Sequence, residues 1–505
     1  MKTKILRNLF LTLAVGWAAV LLPVNAGAGP TSKAALLASR IGRTRGGVER
    51  ADSLHNTRAA RNFVDATNGA AAKAASQSYP HFRLIDLGTL GGDNAFTVVA
   101  SKMLNNRGQN AAQASTGVPD PFDPEFWLQD GTIWHAILST GNGIVYDLGG
   151  IDGNQSVPVW LAENGLIAGL GENGLFDDVG GFPQVRALLW DKHHILYDLG
   201  TLGGNTSQGE SVNSRGQVVG QAANAIDEDP DVATFFNAGI PAGQQVRAFL
   251  WQRGRMSDLG TLGGNDAEAT AINDAGSIAG FSATDIAIND TTGLPTVHAF
   301  FWRNGRMIDV GSLGGSLSTT GSVFSYGPWG HILNSSGQVA GTSTLPGDES
   351  WHAFIWRKNK MTEIGTFGGD NSEAFFMSDK GEVLGRAEVS LDPFVRHAFL
   401  WENNQTTDLG APAPCTRSSA ISINSAGQIV GGTGACTDDP ADPLYFSTFY
   451  TEKGNVPVDL NSLITPLSDI HLEDATYIND RGEISAGGVA SDGTEHAVLL
   501  VPTVD

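Results

Sequence analysis

Arg247-Ala248-Phe249-Leu250-Trp251, Asp258-Leu259-Gly260-Thr261-Leu262-Gly263-Gly264, Ala271-Ile272-Asn273-Asp274-Ala275-Gly276 and Ile278-Ala279-Gly280 together form one phrase of a repeat that decides the fold. An apolar segment ends in Trp, a turn follows, and the next segment closes on an acid, an apolar residue and Gly. A Gly-rich loop then leads into a hairpin. The acid returns at Asp86, Asp147, Asp198, Asp258, Asp309, Glu363, Asp408 and Asp459, about 45 to 61 residues apart. That period suits a four-stranded propeller blade. In the hairpin, Asn opens the turn through its side chain and Gly takes the left-handed position. The same Asn-x-x-Gly signal stands at 105–108, 213–216, 334–337, 424–427 and 479–482. Short apolar runs punctuated by Gly, without a helical stripe, predict an all-β fold.

The two ends of the array are complementary. Phe82 to Gly88 reads as a lone fourth strand, and His496 to Leu500 as a third strand lacking its fourth. Pairing them would remove two exposed edges. The expectation is a closed β-propeller over residues 81–505, of eight four-stranded blades, with seven as the alternative. Its last blade would be completed by the N-terminal strand.

Two segments precede the array. Lys2, Lys4 and Arg7, an apolar run from Leu9 to Leu22, and Val24-Asn25-Ala26 describe a signal peptide over residues 1–26. The run is short for a membrane span, so no transmembrane anchor is expected. Residues 27–80 form an Ala- and Arg-rich stretch (Arg40, Arg43, Arg45, Arg50, Arg58 and Arg61) that reads as a flexible leader. The predicted location is secreted or extracellular, with the periplasm as the alternative. A net charge of −22 argues against nucleic acid, whose phosphates need a basic surface.

The phrase His298-Ala299-Phe300-Phe301-Trp302, repeated at His352 to Trp356 and His397 to Trp401, resembles the HAF family of extracellular repeats. Asp309-Val310-Gly311-Ser312-Leu313-Gly314-Gly315 is similar to that family's loop. The resemblance covers nearly everything from Phe82 onward and implies secretion and a propeller-like repeat. It brings no catalytic residues with it.

Most conspicuous residues read as architecture. His135, His298, His352, His397 and His496 start third strands in different blades, too far apart to share one metal ion. Hydrogen bonding at the blade edge is their expected role. Trp190, Trp251, Trp302, Trp356 and Trp401 suit packing between sheets. Gly263-Gly264 leads into a strand rather than a helix, so it lacks the context of a phosphate loop. Cys415 and Cys436 are the only cysteines, and they are expected to form a disulfide.

Function is sought where the copies differ, in the connections between second and third strands. Long loops on a rigid scaffold are where binding residues tend to lie. Here acids mix with aromatics, and Phe126, Trp127, Asp177, Asp178, Asp229, Phe235, Trp351 and Tyr445 are the candidate binding residues. Aromatic faces stack on sugar rings while carboxylates accept from hydroxyls. Such oxygens would also suit Ca²⁺, although no cofactor is required and no metal ligands are assigned. The expected function is a binding or scaffold protein, monomeric, whose ligand is a carbohydrate or a cell-envelope or extracellular protein. A carbohydrate-active enzyme, hydrolase or lyase, using carboxylates on the same face is the alternative, with no catalytic pair singled out.

Overall fold

The computed structural model describes residues 79–98, 101–122, 131–141, 143–177, 182–229, 232, 235–236, 243–321, 331–392, 395–437 and 446–503. The predicted signal peptide and all but the last two residues of the leader lie outside them. The chain is an all-β propeller. Among the described residues, six separate four-stranded antiparallel sheets accompany one eight-stranded sheet, in which a parallel bridge from Arg396 to Arg417 joins two further four-stranded units.

We number the blades in chain order by their innermost strands. These are Ala95–Phe96, Ser156–Leu161, Gly203–Val212, Ala267–Ile272, Ser318–Thr320, Ser372–Met377, Arg417–Ile423 and Ile470–Ile478. In blade 8 the outermost strand is Phe82–Asp86, which pairs antiparallel with Glu495–Pro502. Hydrogen bonds from blade 1 to blade 8 join the ends of the array: Thr97 Oγ1 donates to Ala486 O at 3.1 Å and Asn110 Nδ2 to Val498 O at 3.3 Å.

The repeated residues follow from contacts within and between blades. Gly280, on a second strand, lies opposite Phe300 of the third strand, and a Cβ there would sit 2.0 Å from Glu268 O on the first. Gly220 with Phe249, Gly385 with Phe399 and Gly431 with Phe449 repeat this arrangement. The missing side chain leaves room for the Phe ring, which a Cβ would meet. The same third strands carry the motif histidines, whose Nδ1 faces the acid of the fourth strand. These pairs are His135 with Asp147 and His298 with Asp309 at 3.0 Å, His397 with Asp408 at 3.0 Å, His496 with Asp86 at 2.9 Å, and His352 with Glu363. Arg247 Nε reaches Asp258 at 3.0 Å, and Ser447 donates to Asp459 at 3.1 Å. In most copies the acid also accepts the N–H of the Gly two residues on, as Asp309 does from Gly311 at 2.7 Å. The recurring acid and His are therefore one latch holding the outer hairpin to its turn.

Neighbouring blades are clasped twice. A serine near the start of an inner strand accepts from the preceding blade's third strand and donates to its turn. Ser318 Oγ, for example, accepts from Ala299 N at 2.9 Å and donates to Gly311 O at 2.6 Å. At the other end, the Asn of Asn-x-x-Gly bonds beyond its own turn. Asn213 Oδ1 accepts from Arg215 N and Gln217 N, each at 3.1 Å, while Nδ2 donates 3.1 Å to Asn273 O in the next blade. Asn273 does the same to Asn334 O, Asn424 to Asn479 O, and Asn479 to Asn105 O, each at 2.9 Å. The sequence marked these asparagines as turn formers; the structure adds that they tie blade to blade.

Among the motif tryptophans, Trp190, Trp356 and Trp401 are buried, and Trp251 and Trp302 pack half-buried against core clusters. Cys415 and Cys436 form a disulfide. Among the described residues no helix is long and apolar enough to cross a membrane.

Candidate functional sites on two opposite faces

Strand alternation gives the propeller two chemically different faces. One carries the connections between second and third strands together with the interblade Gly loops, and the other carries the Asn-x-x-Gly hairpins. On the first face the blades are unequal. The second strands of blades 1 to 4 are long: Asn110–Pro119, Ile167–Asp177, Val218–Asp227 and Ile278–Ile288. Those of blades 5 to 8 stop sooner, at Thr344, Glu388, Gly434 and Ala490. Each long strand passes a register shift before its tip, so it bends and projects as an arm. The arm tips expose Val118, Leu175, Phe176, Ile226, Ile286 and Ile288, all between 51 and 70 % exposed. Asp227 and Asp285 stand exposed among them.

The candidate residues fare differently on this face. Asp229 is exposed, close to the arm of blade 3. Phe235 is half-buried, its ring edge-on to Phe236 at 5.1 Å and to Phe281 at 5.9 Å, so it anchors its loop. Trp351 is only 4 % exposed, with Nε1 directed at Glu373 Oε1 3.4 Å away. These two rings are interior instead of displayed, because an apolar ring beside a β scaffold is stabilised more by packing than by water. Asp177 ends the arm of blade 2; Phe126, Trp127, Asp178 and Tyr445 lie outside the described residues. Asp120, which follows the arm of blade 1, is tied down: Gln155 Nε2 donates to it at 2.7 Å and Phe122 N at 2.8 Å.

The opposite face holds what sequence reading missed. A cavity of about 340 Å³ lies on the propeller axis, and every blade contributes to its lining. Hairpin residues make its rim: Asn106, Ser214, Asp274, Ser335, Ser425 and Asp480. The rim is bonded from blade to blade. Ser214 N donates to Asp274 at 2.8 Å, Ser335 N to Asp379 at 2.8 Å, Ser425 N to Asp480 at 2.9 Å, and Asp480 N to Asn106 at 2.8 Å. Beneath it, rings from four blades meet across the axis. Trp160 stacks on His331 at 5.8 Å, His331 on Phe376 at 5.3 Å, and Phe376 meets Tyr477 at 6.2 Å.

Charge in this cavity is largely settled internally. Lys102 Nζ donates 2.7 Å to Glu163 and sits 5.7 Å from the Tyr477 ring centre. Burial disfavours its ammonium, but Tyr477, Glu163 and Asp379 outweigh that and raise its pKa. Burial first, and then the neighbouring Lys102, push the His331 imidazole down, so it is neutral. Its Nδ1–H donates to Met377 O at 2.7 Å, which leaves Nε2 as an acceptor. Asp379 is held below the usual carboxylate range: burial works against this, and the bonds from Ser335 and the charge of Lys102 prevail.

Deeper in the inner strands, Glu210 and Glu268 are buried neighbours. Burial lifts Glu210 to about 7, and burial together with Glu210 raises Glu268 well above its ordinary value. Among the described residues no group of three or more His, Cys, Asp or Glu is placed to hold a metal ion.

No family model matches the chain. No curated protein matches it either. Solved structures similar to it include a dipeptidyl peptidase 4 from Porphyromonas gingivalis, at 9 % identity and a TM-score of 0.42, covering 75 % of this chain and 56 % of that one. The tricorn protease follows at 10 % identity and a TM-score of 0.26, covering 83 % and 39 %. A GH32 β-fructofuranosidase from Bombyx mori has 8 % identity and a TM-score of 0.24, covering 88 % and 98 %. The chain thus spans little more than half the length of the first of these and less than half of the second.

Proposed function

We propose that this chain is an exported binding or scaffold propeller that docks a protein partner across the arms of blades 1 to 4. The reading is carried by one observation: large apolar side chains are exposed at the tips of four consecutive arms on one face. Monomeric proteins seldom leave contiguous apolar surface uncovered without a partner. Exposed Asp227 and Asp285 set the sign of that partner. A basic, partly apolar surface would complement the crescent, whereas a second copy of a chain with net charge −22 would be repelled.

Two synthetic peptides test this, one alternating Lys with Leu and the other Asp with Leu, followed by fluorescence anisotropy against the mature chain. The Lys/Leu peptide should bind and the Asp/Leu peptide should not. The double variant Ile226→Asp/Ile286→Asp, with unchanged melting, should weaken binding at least tenfold. Equal binding of both peptides, or indifference to the double variant, refutes the reading.

A further inference from the structure

We infer that the axial cavity on the hairpin face is a second binding site, for a neutral polyhydroxylated ring, that is, a sugar residue. It is separate from the protein-docking crescent, which lies on the opposite face. A concave site with a few convergent polar groups is the usual form of a small-molecule pocket, and about 340 Å³ falls at the small end of that class.

The lining selects among ligand charges. Among the described residues five acids line the cavity, Glu163, Asp274, Asp379, Glu382 and Asp480, against two cations, Lys102 and Lys380. Both cations are engaged, Lys102 with Glu163 at 2.7 Å and Lys380 with Ser425 O at 2.9 Å. Phosphates, nucleotides and acidic sugars would therefore meet repulsion. A cationic ligand is disfavoured for another reason. The place above the Tyr477 ring, where an aromatic site would hold an ammonium, is taken by the chain's own Lys102.

A neutral ligand remains, and the polar groups define it further. The carboxylates, together with His331 Nε2, accept hydrogen bonds, so the ligand must be rich in donors. Trp160 and Phe376 supply ring surface for its C–H face. Hydroxyls on an otherwise apolar ring meet both demands. The cavity's place on the axis also explains why no single repeat announces it: its residues come from all eight blades.

The test is calorimetry of the mature chain with neutral mono- and disaccharides, a uronate, and an amino sugar. Ser214 is exposed on the rim, and its bonds there, Ser214 N to Asp274 and Asn164 Nδ2 to Ser214 O, use only its backbone. Ser214→Trp should thus fill the mouth while melting as the wild type does. We expect a neutral saccharide to bind, Ser214→Trp to weaken it at least tenfold, and Ile226→Asp/Ile286→Asp to leave it unchanged. No neutral saccharide binding at tens of millimolar overturns the inference. Tighter binding of the uronate or amine overturns the ligand class, and binding that survives Ser214→Trp overturns the location. None of these outcomes bears on the docking crescent.

Discussion

Replacing Asn479 by Ala tests the joint between the last blade and the first. Asn479 is 2 % exposed and its side chain makes four hydrogen bonds. Its Oδ1 accepts from Arg481 N at 3.0 Å and Glu483 N at 2.9 Å; its Nδ2 donates to Asn105 O at 2.9 Å and Glu483 Oε2 at 2.7 Å. At about 1 kcal/mol net per bond, the loss comes to ~4 kcal/mol. That is large beside a typical stability of roughly 5–15 kcal/mol. Urea denaturation read by tryptophan fluorescence should show a lower midpoint at unchanged slope. Asn213→Ala removes a matching set, three bonds within its own turn and one to Asn273 O of blade 4, and should cost about as much. Asn479→Asp adds a sign: its carboxylate would face Asn105 O and Glu483, so the variant should be weak at neutral pH and recover on acidification, once the acid can donate. A cost below ~1 kcal/mol for Asn479→Ala, beside a full cost for Asn213→Ala, would refute a hydrogen-bonded joint between the ends.

Further outcomes follow from the same structure. Gly280→Ala would place a Cβ 2.0 Å from Glu268 O, so a loss of ~2 kcal/mol or more is expected from thermal melts. Glu210 has a folded pKa raised to about 7 by burial. Its stabilisation is therefore complete below the unfolded carboxyl range and is lost as pH rises toward about 7. Glu210→Gln should remove that slope and gain roughly 1–3 kcal/mol at pH 8, read by denaturation across pH. Asp309 has the opposite sign. Its pKa is lowered, since His298 and Gly311 outweigh burial, so its contribution stands above the unfolded range and falls away on acidification. Asp309→Asn should flatten that limb by less than ~1 kcal/mol, the group being half-exposed. Cys415→Ser/Cys436→Ser opens a link with a sequence separation of 21, and a loss of ~3 kcal/mol is expected in non-reducing denaturation.

What the sequence determined by itself is the repeat and its strand content. Period, Asn-x-x-Gly turns and the acid-apolar-Gly endings are local signals, and local signals survive in a one-dimensional reading. The half-repeats at Phe82 and His496 likewise carried the pairing of the two ends, because an unpaired edge is costly wherever it occurs. The partnership of His298 with Asp309 could be anticipated only as edge hydrogen bonding, since the two residues sit on adjacent strands with a turn between them. Tertiary structure alone decided the rest. Trp351 and Phe235 looked displayed beside their acids, but burial depends on what a neighbouring strand or loop brings against them. The four projecting arms depend on how far each strand pair continues past its bulge, which no single motif encodes. The axial cavity was the least legible feature. Lys102, Trp160, His331, Phe376 and Tyr477 lie in five different repeats, two or three residues before the hairpin turn where the copies differ in residue type, and meet only because the blades converge on one axis.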